Sequence, residues 1–174
     1  MGYKHKVFET KRLHLRALSG KDSAFIHQLV NSQGWLAFIG DRGVRSVEDA
    51  DRYIEKINGA TDIYYWVAVL RQSDQAIGIV TFMKRKELDN FDIGFAFLPE
   101  YNGAGYAYEA TWAVLAYLYY VRGHRQVLAV TKPSNSSSIK LLTRLGFKQI
   151  KEMDKEQYSS LLFSGSVKDL PLVN

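Results

Sequence analysis

The first half of the chain contains both kinds of hydrophobic pattern, strict alternation and a repeat of three or four residues. Hydrophobic and polar residues alternate over Arg12–Leu18, which predicts a strand. Asp22–Val30 carries apolar residues four positions apart and predicts a short helix. A second helix is predicted to begin at Ser46, because Ser46 and Asp49 match a capping box ahead of a helical apolar stripe.

The second half changes from a run of strands to alternating helices and strands. Short polar connections join three strands rich in β-branched and aromatic residues, which predicts an antiparallel meander over Tyr65–Leu70, Ala76–Met83 and Phe91–Leu98. The later pattern predicts a helix over Gly103–Arg122, a strand over Gln126–Thr131, a helix over Asn135–Leu145 and closing strands over Phe147–Met153 and Gln157–Phe163. We therefore expect an α/β (α+β mixed) fold, in which helices flank a mixed central sheet.

Length and composition narrow the class of protein. A chain of 174 residues without linkers or repeats predicts one domain over residues 1–174. The absence of cysteine excludes disulfides, thiolate zinc sites, iron–sulfur clusters and a cysteine nucleophile. The formal net charge of +5 suits an anionic ligand. It also raises a nucleic-acid-binding module as an alternative, but no basic stripe with interleaved aromatic residues supports one.

Targeting signals are also missing from the sequence. No segment approaches the ~20 apolar residues of a membrane span, and the first residues lack the apolar core of a secretory signal. We therefore expect a cytoplasmic protein with no membrane partner and no nucleic-acid partner.

A glycine-containing loop lies between a predicted strand and a predicted helix. Gly103 and Gly105 let the backbone approach a ligand closely, and the helix start behind them presents free N–H groups and the positive end of the helix dipole. This arrangement suits a phosphate, although a simple turn explains the two glycines equally well. No Lys-Ser/Thr pair follows, as nucleoside-triphosphate loops require, and Tyr108 stands where the dinucleotide fingerprint needs Gly or Ala.

Four ordered segments together resemble the GNAT superfamily of acyl-CoA-dependent N-acyltransferases. The signature segment is DIGFAFLPEYNGAGYAYEA over residues 92–110. Three further segments agree with it: ETKRLHLR over residues 9–16, WVAV and IG over residues 66–69 and 77–78, and PSNSSSIKLLTRLGF over residues 133–147. The resemblance runs from about Phe8 to Phe163 and is closest to the RimJ/RimL branch of ribosomal-protein N-terminal acetyltransferases.

The resemblance implies a mostly antiparallel sheet with a splayed strand pair that admits the pantetheine arm of acetyl-CoA. Backbone groups at the end of the signature strand would bind pantetheine as an added strand would, and the loop amides would bind the pyrophosphate. The cofactor-binding residues so implied are Phe97, Leu98, Asn102, Gly103, Ala104, Gly105, Tyr106, Ala107, Asn135 and Ser138. The family carries Gln or Arg where this chain has Asn102, so only the backbone of that position is expected to contribute.

The start of the last predicted helix carries two polar candidates. Asn135 is a good N-cap with Ser138 at the third helical position, and the resemblance adds pantetheine contact for Asn135. Many family members use a Tyr in this helix to protonate the departing thiolate, and here that position is Leu142. Ser138 or a water would have to replace it, and a purely structural Ser138 is the alternative.

An amine acceptor must lose a proton, and two carboxylates are candidates for the general base. Glu152 lies in the predicted late strand, and the resemblance implies a candidate base there, because some family members place one in this strand. The charged neighbours of Glu152 also fit an exposed turn, which is the alternative. Asp92 lies among apolar residues of a central strand, where a carboxylate is costly unless it is used or paired. Catalysis and a structural hydrogen bond both stay open for Asp92.

The resemblance implies an N-acetyltransferase that moves the acetyl group of acetyl-CoA to a primary amine. The acceptor would be a protein N-terminus or a small-molecule amine, and no metal is needed. Since no cysteine can hold the acetyl group, direct transfer in a ternary complex is the simpler scheme. The alternative is a catalytically weak acyl-CoA-binding regulator, and the chain is expected to be a monomer or a homodimer.

Overall fold

The computed structural model describes residue 3 and residues 6–155, 158–166 and 168–171. Its strands are β1 Phe8–Glu9, β2 Leu13–Ala17, β3 Ile63–Leu70, β4 Ala76–Met83, β5 Asp92–Phe97, β6 Gln126–Thr131, β7 Lys148–Lys155 and β8 Tyr158–Ser166. Its α-helices are α1 Ser23–Val30, α2 Gln33–Phe38, α3 Val47–Gly59, α4 Tyr106–Ala116 and α5 Ser136–Arg144. Gln157, the predicted start of the last strand, lies outside the described residues.

The eight strands form one sheet in the order β1-β2-β3-β4-β5-β6-β8-β7. Neighbouring strands run antiparallel except β5 and β6, which are parallel. Helices cover both faces, so the predicted mixed fold with a mostly antiparallel sheet is confirmed. The parallel pair arises because α4 lies between β5 and β6 in the chain and carries it back to the same end of the sheet.

The sheet opens between β5 and β6. These strands are paired at one position only, Asp92 opposite Leu128, and the Leu128 N–H donates to the Phe91 carbonyl at 2.9 Å. On its other side β5 stays paired with β4 as far as Phe97, opposite Gly78. The two parallel strands therefore separate toward Phe97, and the predicted splayed pair is confirmed.

The two larger apolar cores lie on opposite faces of the sheet. One packs α4 and α5 against the sheet and includes Trp66, Phe82, Ile93, Val114 and Leu142. The other packs α1, α2 and α3 against it and includes Ile26, Trp35, Ile54, Val67 and Ile79. The gap between β5 and β6 lies in the sheet between these two helical layers.

The structure changes several predicted boundaries. The helix predicted over Gly103–Arg122 begins at Tyr106, because Gly103 and Gly105 have φ angles of +79° and +83°, outside the helical region. It continues past Ala116 as a π-helical turn over Tyr117–Val121. The short elements α2 and β1 were not predicted. The capping box at the start of α3 is confirmed, with reciprocal hydrogen bonds of 3.1 Å between Ser46 and Asp49.

Candidate active site

A single cavity of about 1340 Å³ follows the opening between β5 and β6 and is lined from both faces of the sheet. On the side of α4 and α5 its lining includes the glycine loop and the first turns of both helices. On the side of α1–α3 its lining includes Tyr53, Tyr65, Thr81, Arg85 and Asp92. The cavity therefore has walls on both faces of the sheet at this point.

The backbone of β5 supplies hydrogen-bonding groups to the gap. The Leu98 N–H donates to the Ile77 carbonyl at 2.9 Å, so the peptide groups at even positions of β5 point toward β4. By the same alternation, the peptide groups of Phe95 and Phe97 point into the gap. The ring of Phe97 packs on Gly78, where an added Cβ would lie 2.2 Å from it.

The backbone groups of Leu98 already have partners within the fold. Its N–H is bonded to Ile77, its carbonyl accepts from the Tyr101 N–H at 3.0 Å, and its side chain is buried. The Leu98 N–H is therefore not available to a ligand, and the role of Leu98 in binding pantetheine stays a prediction. Phe95 was not among the predicted residues, but its peptide groups point into the gap beside those of Phe97.

The glycine loop has the geometry of an anion site. Asn102, Gly103, Gly105, Tyr106 and Ala107 line the cavity, whereas Ala104 does not. Glu109 is the first residue of α4 whose N–H bonds back along the helix, at 3.1 Å to the Gly105 carbonyl. The amides of the three helical residues before Glu109 have no intrahelical acceptor and face the loop end of the cavity.

A network from the β1–β2 connection holds this loop in place. Glu109 accepts hydrogen bonds from the Thr10 hydroxyl at 2.6 Å and from the Arg12 N–H at 2.8 Å. The Arg12 guanidinium donates Nε to Glu109 at 2.7 Å and Nη1 to the Ala104 carbonyl at 2.8 Å. It also lies 4.3 Å from the ring centre of Tyr106. Ala104 thus anchors the loop to Arg12 through its carbonyl and does not form part of the cavity wall.

The first turn of α5 presents polar groups to the cavity. The Asn135 Oδ1 accepts from the Ser138 N–H at 3.1 Å, which makes Asn135 the N-cap. Within the described part of the chain, the Asn135 amide nitrogen and the Ser138 hydroxyl make no hydrogen bond. Both side chains line the cavity, so both have groups available to a ligand.

Two cations on α5 were not predicted as site residues. Lys140 and Arg144 are exposed, lie four residues apart on one helix face and line the cavity. The Arg144 guanidinium lies 4.7 Å from the ring centre of Tyr108 in the first turn of α4. Their spacing in the sequence was the only signal that could have indicated them.

Asp92 lies at the closed end of the gap and faces the α1–α3 side. It is 1% exposed, and its Oδ1 accepts from the Arg85 Nε at 2.8 Å. Burial raises the pKa of the Asp92 carboxyl above its ordinary value, and the Arg85 guanidinium opposes that rise. A buried carboxylate with a raised pKa beside a cavity is typical of a proton acceptor, and the ion pair also gives it a structural partner.

Glu152 lies elsewhere. It is exposed on the edge strand β7, is separated from β6 by β8, and accepts a hydrogen bond from the Ser159 hydroxyl at 3.0 Å. It is not among the residues that line the cavity. The structure therefore does not bring Glu152 together with Asp92 and Ser138, and its role as a base stays a prediction.

Within the ranges that the structure describes, no three His, Asp or Glu side chains group as metal ligands would. None of the helices described is both long enough and apolar enough to cross a membrane.

Comparison with known proteins places the chain in a family. The family model for an acetyltransferase (GNAT) domain matches residues 12–148. The chain is 29% identical over 140 residues to the uncharacterized N-acetyltransferase YnaD of Bacillus subtilis (strain 168), covering 80% of this chain and 81% of that protein.

Solved structures agree on the fold. A GNAT-family acetyltransferase from Bacillus anthracis has a TM-score of 0.79 at 22% identity, covering 92% of this chain and 98% of its own. The ribosomal-protein-S5-alanine acetyltransferase from Vibrio fischeri has a TM-score of 0.78 at 19% identity, covering 96% and 100%. Because the family model covers most of the chain, this protein belongs to the GNAT acetyltransferase family.

Proposed function

We propose that the protein transfers the acetyl group of acetyl-CoA directly to a primary amine while both are bound. The observation that carries this proposal is the single cavity that passes through the splayed sheet and is lined from both faces. Family membership supplies the acetyl donor. The α4–α5 side suits the cofactor, and the α1–α3 side leaves room for an acceptor.

The residues that would hold acetyl-CoA form a continuous path. The amides at the start of α4 and the loop Asn102–Ala107 would bind the pyrophosphate, with Lys140 and Arg144 adding positive charge. The backbone of Phe95 and Phe97 would bind pantetheine along the open edge of β5. Asn135 would donate its free amide N–H to the same arm. Each of these groups lines or faces the same cavity, which supports this path.

The transfer itself needs three groups around the thioester. The amine first gives the proton of its ammonium group to Asp92, through a water if needed, because a protonated nitrogen has no lone pair with which to attack. The neutral nitrogen then attacks the acetyl carbonyl carbon, and the Phe97 N–H, which faces the gap, would stabilise the oxyanion that forms. Collapse of this intermediate breaks the carbon–sulfur bond and releases the thiolate of CoA. After the attack the nitrogen loses its second proton, and the thiolate takes up one proton from Ser138 or a water, so that one proton ends on CoA and the other leaves through Asp92.

The acceptor would lie on the α1–α3 side, in a space that we call the acceptor chamber. Its walls are Tyr53, Tyr65, Thr81, Arg85 and Asp92. The hydroxyls of Tyr53 and Tyr65 lie 3.5 Å apart, and the buried carboxylate of Asp92 is the acidic group at its inner end. A chamber that ends on a carboxylate suits a group that arrives as a protonated amine.

An amine panel tests this function. Purified protein is incubated with acetyl-CoA and a peptide N-terminus, an amino acid, a polyamine or an aminoglycoside, and thiol release and product mass are followed. We expect at least one amine to be acetylated well above the rate of thioester hydrolysis without amine. Tight acetyl-CoA binding with no acetylated product from any amine would favour the acyl-CoA-binding regulator instead.

A further inference from the structure

Two positively charged side chains of the acceptor chamber have no ion-pair partner within the described residues. Arg42, from the loop between α2 and α3, and Lys56, on α3, also line the cavity on this side. Neither side chain forms an ion pair or a hydrogen bond within the described ranges. Exposed cations usually pair with a nearby carboxylate or face open solvent, so two unpaired ones on a cavity wall are available to a ligand.

The carboxylates of the chamber do not offset these charges. Asp92 is already paired with Arg85 at 2.8 Å. Glu87 lines the same cavity and acts electrostatically on both members of that pair. With two carboxylates set against Arg85, Arg42 and Lys56, the wall of the chamber carries a net positive charge.

The charge of Arg42 reaches the interior of the chamber. Burial raises the pKa of the Tyr65 hydroxyl, as does the neighbouring Tyr53, while the charges of Arg42 and Arg85 act in the opposite direction. An anionic group beside the Tyr53–Tyr65 hydroxyl pair would therefore meet two guanidinium groups and two hydroxyl donors. The same two guanidinium groups would repel a cationic group at this position.

We propose that the preferred acceptor is a primary amine whose own chain bears a carboxylate or another acidic group, held by Arg42 while the amine lies at Asp92. The proposal rests on the proposed function, because it takes the acetyl group to arrive from the other face of the sheet. Guanidinium forks bind carboxylates in a bidentate manner, which fixes direction as well as adding affinity. The proposal implies that polyamines, which carry several positive charges, are poor acceptors.

Matched acceptors test the proposal with little change in size. The peptide arm compares Ala-Asp-amide with Ala-Asn-amide, and the small-molecule arm compares 4-aminobutanoate with 4-aminobutanamide, with spermidine as the cationic probe. Each kcat/KM is calculated from the concentration of the unprotonated amine, so that differences in amine pKa between the acceptors do not enter the comparison. We expect the acidic member to have a kcat/KM at least about fivefold higher, from one charge-assisted contact at a partly exposed site. The arm with the larger ratio of kcat/KM between the acidic and the amide acceptor shows whether the preferred acceptor is a peptide or a small amine.

A variant pair assigns the preference to one residue. Arg42→Gln is expected to remove most of the ratio in the preferred arm, and Lys56→Gln a smaller part. Arg52→Gln is the matched control, because Arg52 is exposed on the same helix as Lys56, pairs with Asp49 and does not line the cavity. Equal rates for the acidic and amide members, a preference for spermidine, or an unchanged ratio in Arg42→Gln would each overturn the proposal.

Binding without turnover separates this inference from the proposed function. Calorimetry with CoA in place of acetyl-CoA measures how tightly each probe binds the enzyme–CoA complex. If the acidic probe binds more tightly than its amide and Arg42→Gln abolishes the difference, the inference holds even for a catalytically silent protein. If both members bind equally there, the inference fails, whether or not any amine is acetylated.

Discussion

Arg12 and Glu109 are joined across the fold by a hydrogen bond of 2.7 Å between Nε and Oε2, although 97 residues separate them in the chain. The same guanidinium bonds the Ala104 carbonyl within the glycine loop. The loop is therefore fixed from the β1–β2 connection before any ligand binds. A preformed anion site loses less conformational entropy on binding than a mobile loop does.

Glu109→Gln is expected to weaken CoA binding about tenfold, which corresponds to about 1.4 kcal/mol, because the loop loses a charged acceptor of three hydrogen bonds. Calorimetric titration with CoA measures the change. Glu48→Gln is the matched control, since Glu48 also lies in the first turn of a helix, α3, away from the loop. Equal losses in both variants would show that the effect does not come from the contacts of Glu109 with the loop network.

The same network predicts a pH dependence. Burial pushes the pKa of Glu109 upward, but the hydrogen bonds from Thr10 and Arg12 outweigh it, so the pKa lies below its ordinary value of 4.5. A lowered folded-state pKa means that the stabilisation is complete above pH 4.5 and is lost as the pH falls through the folded-state value. Thermal unfolding between pH 3 and pH 7 should show this loss in the parent and a smaller one in Glu109→Gln. Parallel curves would contradict it.

Asn102 offers a test of the loop without backbone strain. Its φ of −69° accommodates any L-residue, unlike the positive φ of Gly103 and Gly105. Asn102→Arg should tighten CoA binding on the order of threefold, and Asn102→Glu should weaken it by a similar factor, because the residue lines the cavity near the phosphate site. Gln75→Glu, on an exposed turn, controls for net charge. The same affinity in all three variants would remove this loop from the site.

Much of this fold follows from local sequence patterns, because apolar alternation and capping residues act over a few positions. The meander β3–β5 and the capped helix α3 were predictable, and the helical segment ends at Val121, one residue before its predicted end at Arg122. The short helix α2 was not predictable, because six residues give too little periodicity to detect. The loop network was not either, since Thr10, Arg12 and Glu109 are brought together only by the tertiary fold.

The site divides in the same way. The glycine loop and Asn135 belong to motifs that are continuous in the chain, and the structure places them on the cavity. The direction of the β5 peptide groups could not be predicted, because pairing with β4 decides which of them face the gap, and the Leu98 N–H faces β4. Arg42, Arg85 and Tyr65 come from three separate segments, so their shared chamber appears only once the sheet and its helices are assembled.

Asp92 and Glu152 are distinguished by isosteric variants. Asp92→Asn should lower kcat by about 10²–10⁴-fold near neutral pH, with recovery as the pH rises and free amine becomes abundant. Glu152→Gln should keep the parental pH–rate profile, because Glu152 lies on the edge strand away from the cavity. Parental rates in Asp92→Asn would show that the amine enters already neutral. A loss confined to Glu152→Gln would assign the base to the edge strand.

Arg85→Gln is expected to shift the pH dependence of kcat, a change that a loss of folded protein would not produce. Arg85 opposes the effect of burial on Asp92, so its removal should raise the pKa of Asp92 further. If Asp92 is the base, the acidic limb of the kcat profile moves to higher pH. The limb should stay in place if Asp92 only stabilises the fold.

Direct transfer between two bound substrates is the central claim, and intact-protein mass spectrometry combined with initial-rate kinetics tests it most directly. The protein is incubated with acetyl-CoA alone, separated from the nucleotide, weighed and then mixed with an active amine. We expect an unchanged protein mass, no acetylated amine from the isolated protein, and initial-rate lines that intersect when both substrates are varied. An added acetyl group on the protein that passes to the amine, together with parallel lines, would contradict direct transfer.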